Sequence, residues 1–183
     1  MTMRRRAGEL APRFAVEDID GETIDLLAYR DRRILLAFFR YGGCPLCNLR
    51  MAFLTGTWTQ WSERGLVVIA VFESPRQRLL ETVASAPVPF PVIPDPSREL
   101  YRLYGVSPST WGTVRGALRF GVFREAFRRG FRVGRADGLV TQLPAEFLIG
   151  PEGKIQIAYY GRDIGDHLPI EEIDRWLDDP GQT

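Results

Sequence analysis

The chain has 183 residues, of which 45% are hydrophobic and 26% are charged, and these values are typical of one folded domain. They exclude a disordered chain, and no apolar run approaches the roughly 20 residues of a bilayer-spanning helix. A net charge of +1 gives no overall attraction to nucleic acid, so we expect no specific nucleic-acid partner. The basic start lacks the apolar region of a signal peptide, which predicts a cytoplasmic protein.

The first half of the chain predicts a hairpin followed by alternating strands and helices. Two short extended pieces flank a turn at Asp20 and Gly21, and residues 34–39 form a continuous apolar run, typical of a central strand. A helical pattern begins near Cys44 and stops at Gly65. The elements predicted after it are a strand at 66–72, a helix at 75–84, an extended segment at 89–93 and a helix at 97–104 capped by Ser97.

The second half contains an unusual stretch, residues 107–141, in which seven arginines stand against Glu125 and Asp137. Its phenylalanines, at 120, 123, 127 and 131, have helical spacing, with arginines at 124, 128 and 132 beside them. We expect an inserted helix that packs these rings against the domain or across a dimer interface. The alternative is a surface that binds an anionic membrane or nucleic acid.

The remaining elements are two strands and a helix. The pattern predicts a strand at 146–149, a second strand at 154–160 and an amphipathic helix at 170–177. Alternating strands and helices indicate an α/β fold with helices on both faces of the sheet. We therefore expect a single domain over residues 1–183, with 107–141 as a helical insertion within it.

The two cysteines, Cys44 and Cys47, stand three apart where the central strand passes into the helix. Unpaired backbone N–H groups and the helix dipole favour a thiolate at the first position, so Cys44 is predicted to be the nucleophile. Cys47, one turn further on, lies within disulfide reach. Pro45 suits the first helical turn, and Gly43 permits a sharp bend and the close approach of a substrate.

Other uses of a cysteine pair fit less well. A chain with two cysteines and one histidine lacks the ligands of a zinc site, and Asn48 stands where haem attachment needs histidine. We therefore expect no metal and no cofactor. Two inert buried cysteines are the remaining alternative to a redox pair. Glu73 is either a loop carboxylate or a proton relay, and His167 is interpreted as a turn or cap residue.

The order of these elements resembles the thioredoxin fold, an α/β fold with a central mixed sheet flanked by helices, here with an N-terminal hairpin. The segments most similar to the peroxiredoxin-like proteins of the alkyl hydroperoxide reductase and thiol-specific antioxidant superfamily (AhpC/TSA) are 11–14, 39–47, 147–155 and 160–163. The resemblance covers about residues 8–177. It implies a cis proline at Pro144, before the late strand, where Leu143 and Pro144 would face the cysteines and bind substrate. The alternative is a trans proline at the start of an edge strand.

The chain departs from the usual peroxiredoxin motif. Ala37 and Tyr41 occupy the positions of the motif proline and threonine, and no arginine precedes the late strand in residues 142–145. Arg40 or Arg162 is expected to replace the missing activating arginine in binding the substrate.

We therefore expect a thiol oxidoreductase that reduces peroxides, with Cys44 as nucleophile and Cys47 as resolving cysteine. An external thiol reductant, such as thioredoxin or glutathione, would recycle the disulfide, and a second copy in a homodimer is a further candidate partner. Two alternatives are a disulfide reductase and a non-catalytic, redox-switched binding module that uses residues 107–141.

Overall fold

The computed structural model describes residues 3–118 and 120–179. Its N-terminal hairpin pairs β1 (Ala15–Glu17) with β2 (Thr23–Asp25), as predicted. The Asp18 carboxylate accepts hydrogen bonds from the N–H groups of Asp20 and Glu22, which closes the turn. A short 3₁₀ helix, Leu26–Tyr29, then leads into the central sheet.

The central sheet has five strands in the order β5-β4-β3-β6-β7. Pairs β3/β4 and β4/β5 are parallel, and pairs β3/β6 and β6/β7 are antiparallel, so the sheet is mixed as expected. The strands are β3 (Arg33–Phe38), β4 (Leu66–Phe72), β5 (Val92–Pro94), β6 (Ala145–Ile149) and β7 (Ile155–Tyr160).

Helices cover both faces of this sheet. Alternate residues of β3 divide between the two faces, with Leu35 and Ala37 in one apolar cluster and Leu36 and Phe38 in the other. Each cluster is completed by helices, so β3 is buried on both sides. The helices are α1 (Pro45–Glu63), α2 (Arg76–Glu81), α3 (Glu99–Leu103), α4 (Thr110–Ala117), α5 (Phe120–Arg128) and α6 (Ile170–Asp178).

Two local predictions are wrong. Ser97 does not cap α3: the Asp95 carboxylate accepts the N–H groups of Glu99 and Leu100, because its two oxygens reach the first turn from inside the fold. The Leu143–Pro144 peptide bond is trans, not cis. The trans bond carries the chain directly into β6, and the Pro144 carbonyl accepts the N–H of Gly161 from the opposite strand end.

Candidate active site

The cysteine pair lies where β3 leaves the sheet and α1 begins. A tight turn bonds Cys44 N–H to the Tyr41 carbonyl at 3.0 Å, and Gly42 N–H donates to Ser74 Oγ at 2.8 Å. Cys44 is extended and is the N-cap of α1, while Pro45 occupies the first turn, where its missing N–H has no cost. The predicted strand–turn–helix junction is therefore confirmed.

Two N–H donors point at the Cys44 sulfur. Arg40 Nη1 lies 3.4 Å from Cys44 Sγ, and the backbone N–H of Cys47 lies 3.5 Å from it. Arg40 is buried, and its Nη2 donates to the Val140 carbonyl. Of the two arginines considered from the sequence, Arg40 is thus the one that contacts the sulfur.

These contacts separate the pKa values of the two thiols. Burial alone would raise the pKa of Cys44, but the Cys47 thiol, the Arg40 charge and two backbone N–H groups lower it to about 6. Burial and the neighbouring Cys44 sulfur raise the pKa of Cys47 well above its ordinary value. Cys44 is therefore a thiolate at neutral pH, and Cys47 remains a thiol.

Both cysteines are closed off from solvent. The exposed fraction is 0% for Cys44 and 1% for Cys47, whereas the sequence interpretation expected an open helix end. An irregular segment, residues 132–140, which we call the strap, lies against the turn that carries the cysteines. It is fixed at several points: Gly134 N–H donates to the Gly43 carbonyl, Leu139 N–H to Glu73 Oε2, and Ser74 Oγ to Asp137.

The strap approaches the cysteine turn through two glycines. A Cβ built on Gly43 would lie 2.9 Å from the Arg135 carbonyl oxygen, and one on Gly134 would lie 3.0 Å from the Gly43 Cα. Only residues without a side chain allow this separation. Gly43 therefore allows the strap to pack directly against the cysteine turn. Its position before Cys44 in the sequence did not indicate this role.

Glu73 is the second anchor of the strap. Its buried carboxylate accepts Leu139 N–H at 2.6 Å and pairs with Arg98 at 2.9 Å. Burial raises the pKa of Glu73 despite these partners. Neither contact joins Glu73 to a sulfur, so the structure assigns the carboxylate to the strap.

An apolar groove of about 570 Å³ opens beside the cysteine turn. Its lining includes Gly42 and Gly43, Met51 and Ala52 of α1, and Phe131. Arg132 is the charged residue of the lining. The groove therefore adjoins the turn that precedes Cys44, and the strap residues Arg132 and Gly134 contribute to its lining.

The other residues predicted to bind substrate lie in different surroundings. The Leu143 carbonyl accepts Gln142 Nε2 and the Pro144 carbonyl accepts Gly161 N–H, so both are already hydrogen-bonded within the chain. The Arg162 side chain is 74% exposed and pairs with Asp166. Its contacts are with that loop rather than with the cysteine pair.

The sequence interpretation missed a buried ion cluster behind α1. Arg50 donates through Nε and Nη2 to the two oxygens of Glu146 at 2.9 and 2.7 Å, and His167 Nδ1 lies 3.1 Å from Glu146 Oε1. Burial alone would raise the pKa of Glu146, but Arg50 and His167 hold it at about 2. A glutamate inside the apolar run 145–149 is the signal that could have predicted a buried partner.

The described residues contain no group of three His, Cys, Asp or Glu side chains placed to hold a metal ion. Within the same residues, no helix is long and apolar enough to cross a membrane.

Comparison with known proteins places the chain in a family. It is 23% identical over 172 residues to peroxiredoxin Bcp of Escherichia coli, covering 94% of this chain and 95% of that one. It is also 30% identical over 104 residues to the thiol-disulfide oxidoreductase ResA of Halalkalibacterium halodurans, covering 56% and 58%. A mutant of peroxiredoxin 6 of Arenicola marina superposes with a TM-score of 0.72 at 17% identity, covering 95% of this chain and 72% of that one, which confirms the thioredoxin-like fold.

The model of the AhpC/TSA family matches residues 7–158, which is most of the chain. Relatives in this family are peroxiredoxins and thiol-disulfide oxidoreductases, which are enzymes. The sequence resemblance to this superfamily is thereby confirmed: the chain belongs to the AhpC/TSA family.

Proposed function

We propose that this chain is a thiol peroxidase in which Cys44 is the nucleophile and Cys47 the resolving cysteine. The observation that carries the proposal is the pair of N–H donors, from Arg40 and Cys47, aimed at a Cys44 sulfur whose pKa is about 6. A thiolate held in this way at neutral pH is the reactive form of cysteine.

The first chemical step is attack by the Cys44 thiolate on the terminal oxygen of a hydroperoxide. A sulfur–oxygen bond forms and the oxygen–oxygen bond breaks, which leaves a sulfenic acid and an alkoxide that takes a proton to become an alcohol. The sulfur is oxidised by two electrons and the peroxide is reduced. Arg40 lies where it can stabilise the negative charge that moves onto the leaving oxygen.

In the second step the Cys47 thiol attacks the sulfenic sulfur, forming a Cys44–Cys47 disulfide and releasing water. The raised pKa of Cys47 keeps this thiol protonated until Cys44 has reacted. An external dithiol such as thioredoxin, or two molecules of glutathione, then reduces the disulfide by thiol exchange. The proposal includes a cytoplasmic location, where such reductants are abundant.

Access to the sulfurs requires the strap to move. With both cysteines closed off, neither peroxide nor reductant reaches Cys44 while Gly134 remains bonded to Gly43. The strap is irregular and largely exposed, and its anchors are a few hydrogen bonds, so its local opening costs less than global unfolding. The groove beside Gly43 would then hold the organic part of a hydroperoxide.

Reduction of protein disulfides is a second candidate, favoured by the Cys-x-x-Cys spacing that brings Cys47 N–H to the Cys44 sulfur. The carbonyls of Leu143 and Pro144 count against it. Each already accepts a hydrogen bond within the chain, which weakens it as an acceptor for an extended polypeptide substrate.

A trapping experiment separates the two activities. The Cys47→Ser variant is treated with hydrogen peroxide or cumene hydroperoxide and then with dimedone, and the adduct is located by mass spectrometry. A peroxidase gives a dimedone adduct on Cys44, and the unsubstituted protein gives a Cys44–Cys47 disulfide instead. Cys44→Ser, the matched control, gives neither product. Reduction of insulin disulfides without any dimedone adduct on Cys44 would show that the chain is a disulfide reductase and not a peroxidase.

A further inference from the structure

Most of the large exposed apolar side chains of the described residues lie in the stretch 107–141, and several of them are on its two helices. Helix α4 packs on the fold through Gly112 and Gly116: a Cβ on Gly112 would lie 2.9 Å from the Arg162 carbonyl oxygen. The opposite side of this helix carries Trp111, Val114 and Leu118, spaced by three and four residues. Their exposed fractions are 74%, 55% and 65%, so this apolar stripe faces solvent.

Helix α5 repeats this arrangement. Ala126 is buried toward α1, and Arg129 lies 4.7 Å above the ring of Phe53 on α1. The outward side carries Phe120 and Phe127, which are 75% and 49% exposed. Phe123 and Phe131 contact the core, as expected, whereas Phe120 and Phe127 do not pack against the domain, and the expected dimer interface stays a prediction for these two.

A shallow groove of about 560 Å³ runs along this side of α5. We call its lining the aromatic–arginine face: Phe120, Phe123, Arg124, Phe127 and Arg128. Two arginines thus flank three aromatic rings on the exposed side of one helix.

The charge around this face is strongly positive. Residues 107–141 contain seven arginines, and their two acids are already paired, Glu125 with Arg128 and Arg129, and Asp137 with Arg78 of α2. Arginine stays protonated at all physiological pH values, so the positive charge is permanent. A partner for this face must therefore be negative and must also accept exposed aromatic rings.

Of the partners that could cover this face, an anionic lipid surface fits both requirements best. A second copy docked about a two-fold axis would bring arginines against arginines, which is repulsive. A nucleic acid could stack its bases on the rings, so binding to RNA is kept as an outcome of the test below. An anionic lipid surface offers phosphates to the arginines and an apolar layer below them to the rings and aliphatic groups.

We propose that the aromatic–arginine face of α5 binds the surface of an anionic lipid bilayer. Phe120 and Phe127 enter the boundary between headgroups and acyl chains, and Arg124 and Arg128 contact lipid phosphates. The helix lies on the membrane and does not cross it. The strap begins only a few residues after α5 ends. A membrane would therefore bind a helix that directly precedes the strap in the chain.

Sedimentation of the full chain with vesicles tests this proposal. The protein is expected to co-sediment with vesicles of phosphatidylcholine that contain 30% phosphatidylglycerol. It is not expected to co-sediment with vesicles of pure phosphatidylcholine. Phe120→Ser with Phe127→Ser should abolish binding. Arg124→Gln with Arg128→Gln should weaken it by roughly 30-fold, from the ordinary contribution of two arginines near such a surface.

The matched control replaces two exposed arginines elsewhere, Arg13→Gln with Arg175→Gln. Its net charge equals that of the variant with Arg124→Gln and Arg128→Gln. It should bind as the unsubstituted chain does. All the substituted side chains are exposed, so circular dichroism and thermal unfolding should show each variant folded.

Three results would overturn the proposal. The first is absence of binding to the anionic vesicles, or equal binding by the phenylalanine variant. The second is a dimer in sedimentation equilibrium that Phe120→Ser with Phe127→Ser dissociates, which would assign the face to a second copy. The third is binding to single-stranded RNA but not to vesicles, which would assign it to nucleic acid.

Discussion

The sheet with α1 and the stretch 107–141 use the same kinds of residue in opposite ways. In the sheet and α1, aromatic rings such as Phe38 and Phe147 are fully buried, and the one arginine of α1, Arg50, is paired with buried Glu146. In the stretch, Phe120 and Trp111 face solvent, and so does Arg124. In the proposed function the two regions have different tasks: the sheet and α1, which form the rigid part, set the chemistry of Cys44, and the stretch controls what reaches it.

The largest effect is expected where the rigid part holds its buried charge. Glu146→Gln leaves Arg50 without its carboxylate partner, which should lower the free energy of unfolding by about 3–5 kcal/mol. Denaturant unfolding at pH 7 measures it. Glu171→Gln on the exposed side of α6 is the control and should change stability by less than about 0.5 kcal/mol.

The pH dependence of this difference has a definite sign. The pKa of Glu146 is about 2 in the folded protein and ordinary in the unfolded chain. Its stabilisation is therefore complete above pH 4.5 and is lost as the pH falls toward 2. The difference between wild type and Glu146→Gln should shrink over that range, and a difference that stays constant would contradict the cluster described above.

The next effect concerns the reactivity of Cys44. Arg40→Met removes the charge that lies beside the sulfur, so the pKa of Cys44 should rise from about 6 by about one to three pH units. The rate of alkylation by iodoacetamide against pH measures this pKa. Arg162→Met, which alters an exposed arginine paired with Asp166, should leave it unchanged. An equal rise in the pKa of Cys44 in both variants would show that Arg40 has no specific effect on this pKa.

A smaller effect should follow when the strap loses one anchor. Asp137→Asn weakens the contacts of the strap with Ser74 and Arg78, and the open fraction should rise by about 5- to 30-fold, the equivalent of 1–2 kcal/mol. Alkylation of Cys44 at pH 8, where the thiolate is fully formed, measures that fraction. Glu81→Gln removes the other carboxylate on Arg78 without touching the strap. Equal rates in the two variants would show that the strap does not limit access.

The smallest effect distinguishes the two regions directly. Phe120→Ser should change the free energy of unfolding by less than about 0.5 kcal/mol, because the ring is already exposed. Phe38→Ala, in the sheet, should cost about 3–5 kcal/mol. A large loss for Phe120→Ser would mean that this ring is packed and not free to contact a membrane.

The rigid part was largely predictable because its signals are local. The run Leu66–Phe72 has strand length and apolar character, and the observed β4 has the same bounds. The turn before Cys44 also follows from adjacent residues, Gly42, Gly43 and Pro45. Where two acceptors competed nearby, as with Ser97 and Asp95, sequence alone favoured the wrong cap, because the fold decides which oxygen reaches the helix.

The cover over the cysteines could not be predicted because it joins distant parts of the chain. Gly134 meets Gly43, and Leu139 meets Glu73, across more than 60 residues. Hydrophobic periodicity indicates local secondary structure, so it cannot predict contacts between such distant residues. The pairing of Arg50 with Glu146 is similarly remote, although a charged residue within an apolar strand does indicate that some partner exists. The trans bond at Pro144 shows that a fold-level resemblance does not transfer a local conformation.

Cys44 is the N-cap of α1 and, in the proposed reaction, also the sulfur that is oxidised and then reduced. The N–H of Cys47 and the Arg40 guanidinium stabilise a negative sulfur, and a disulfide sulfur carries no such charge. Each contact that favours the dithiol form over the disulfide raises the reduction potential of the couple. The oxidised protein should consequently give up its disulfide readily to a reductant, so the helix start that activates the sulfur also favours its regeneration.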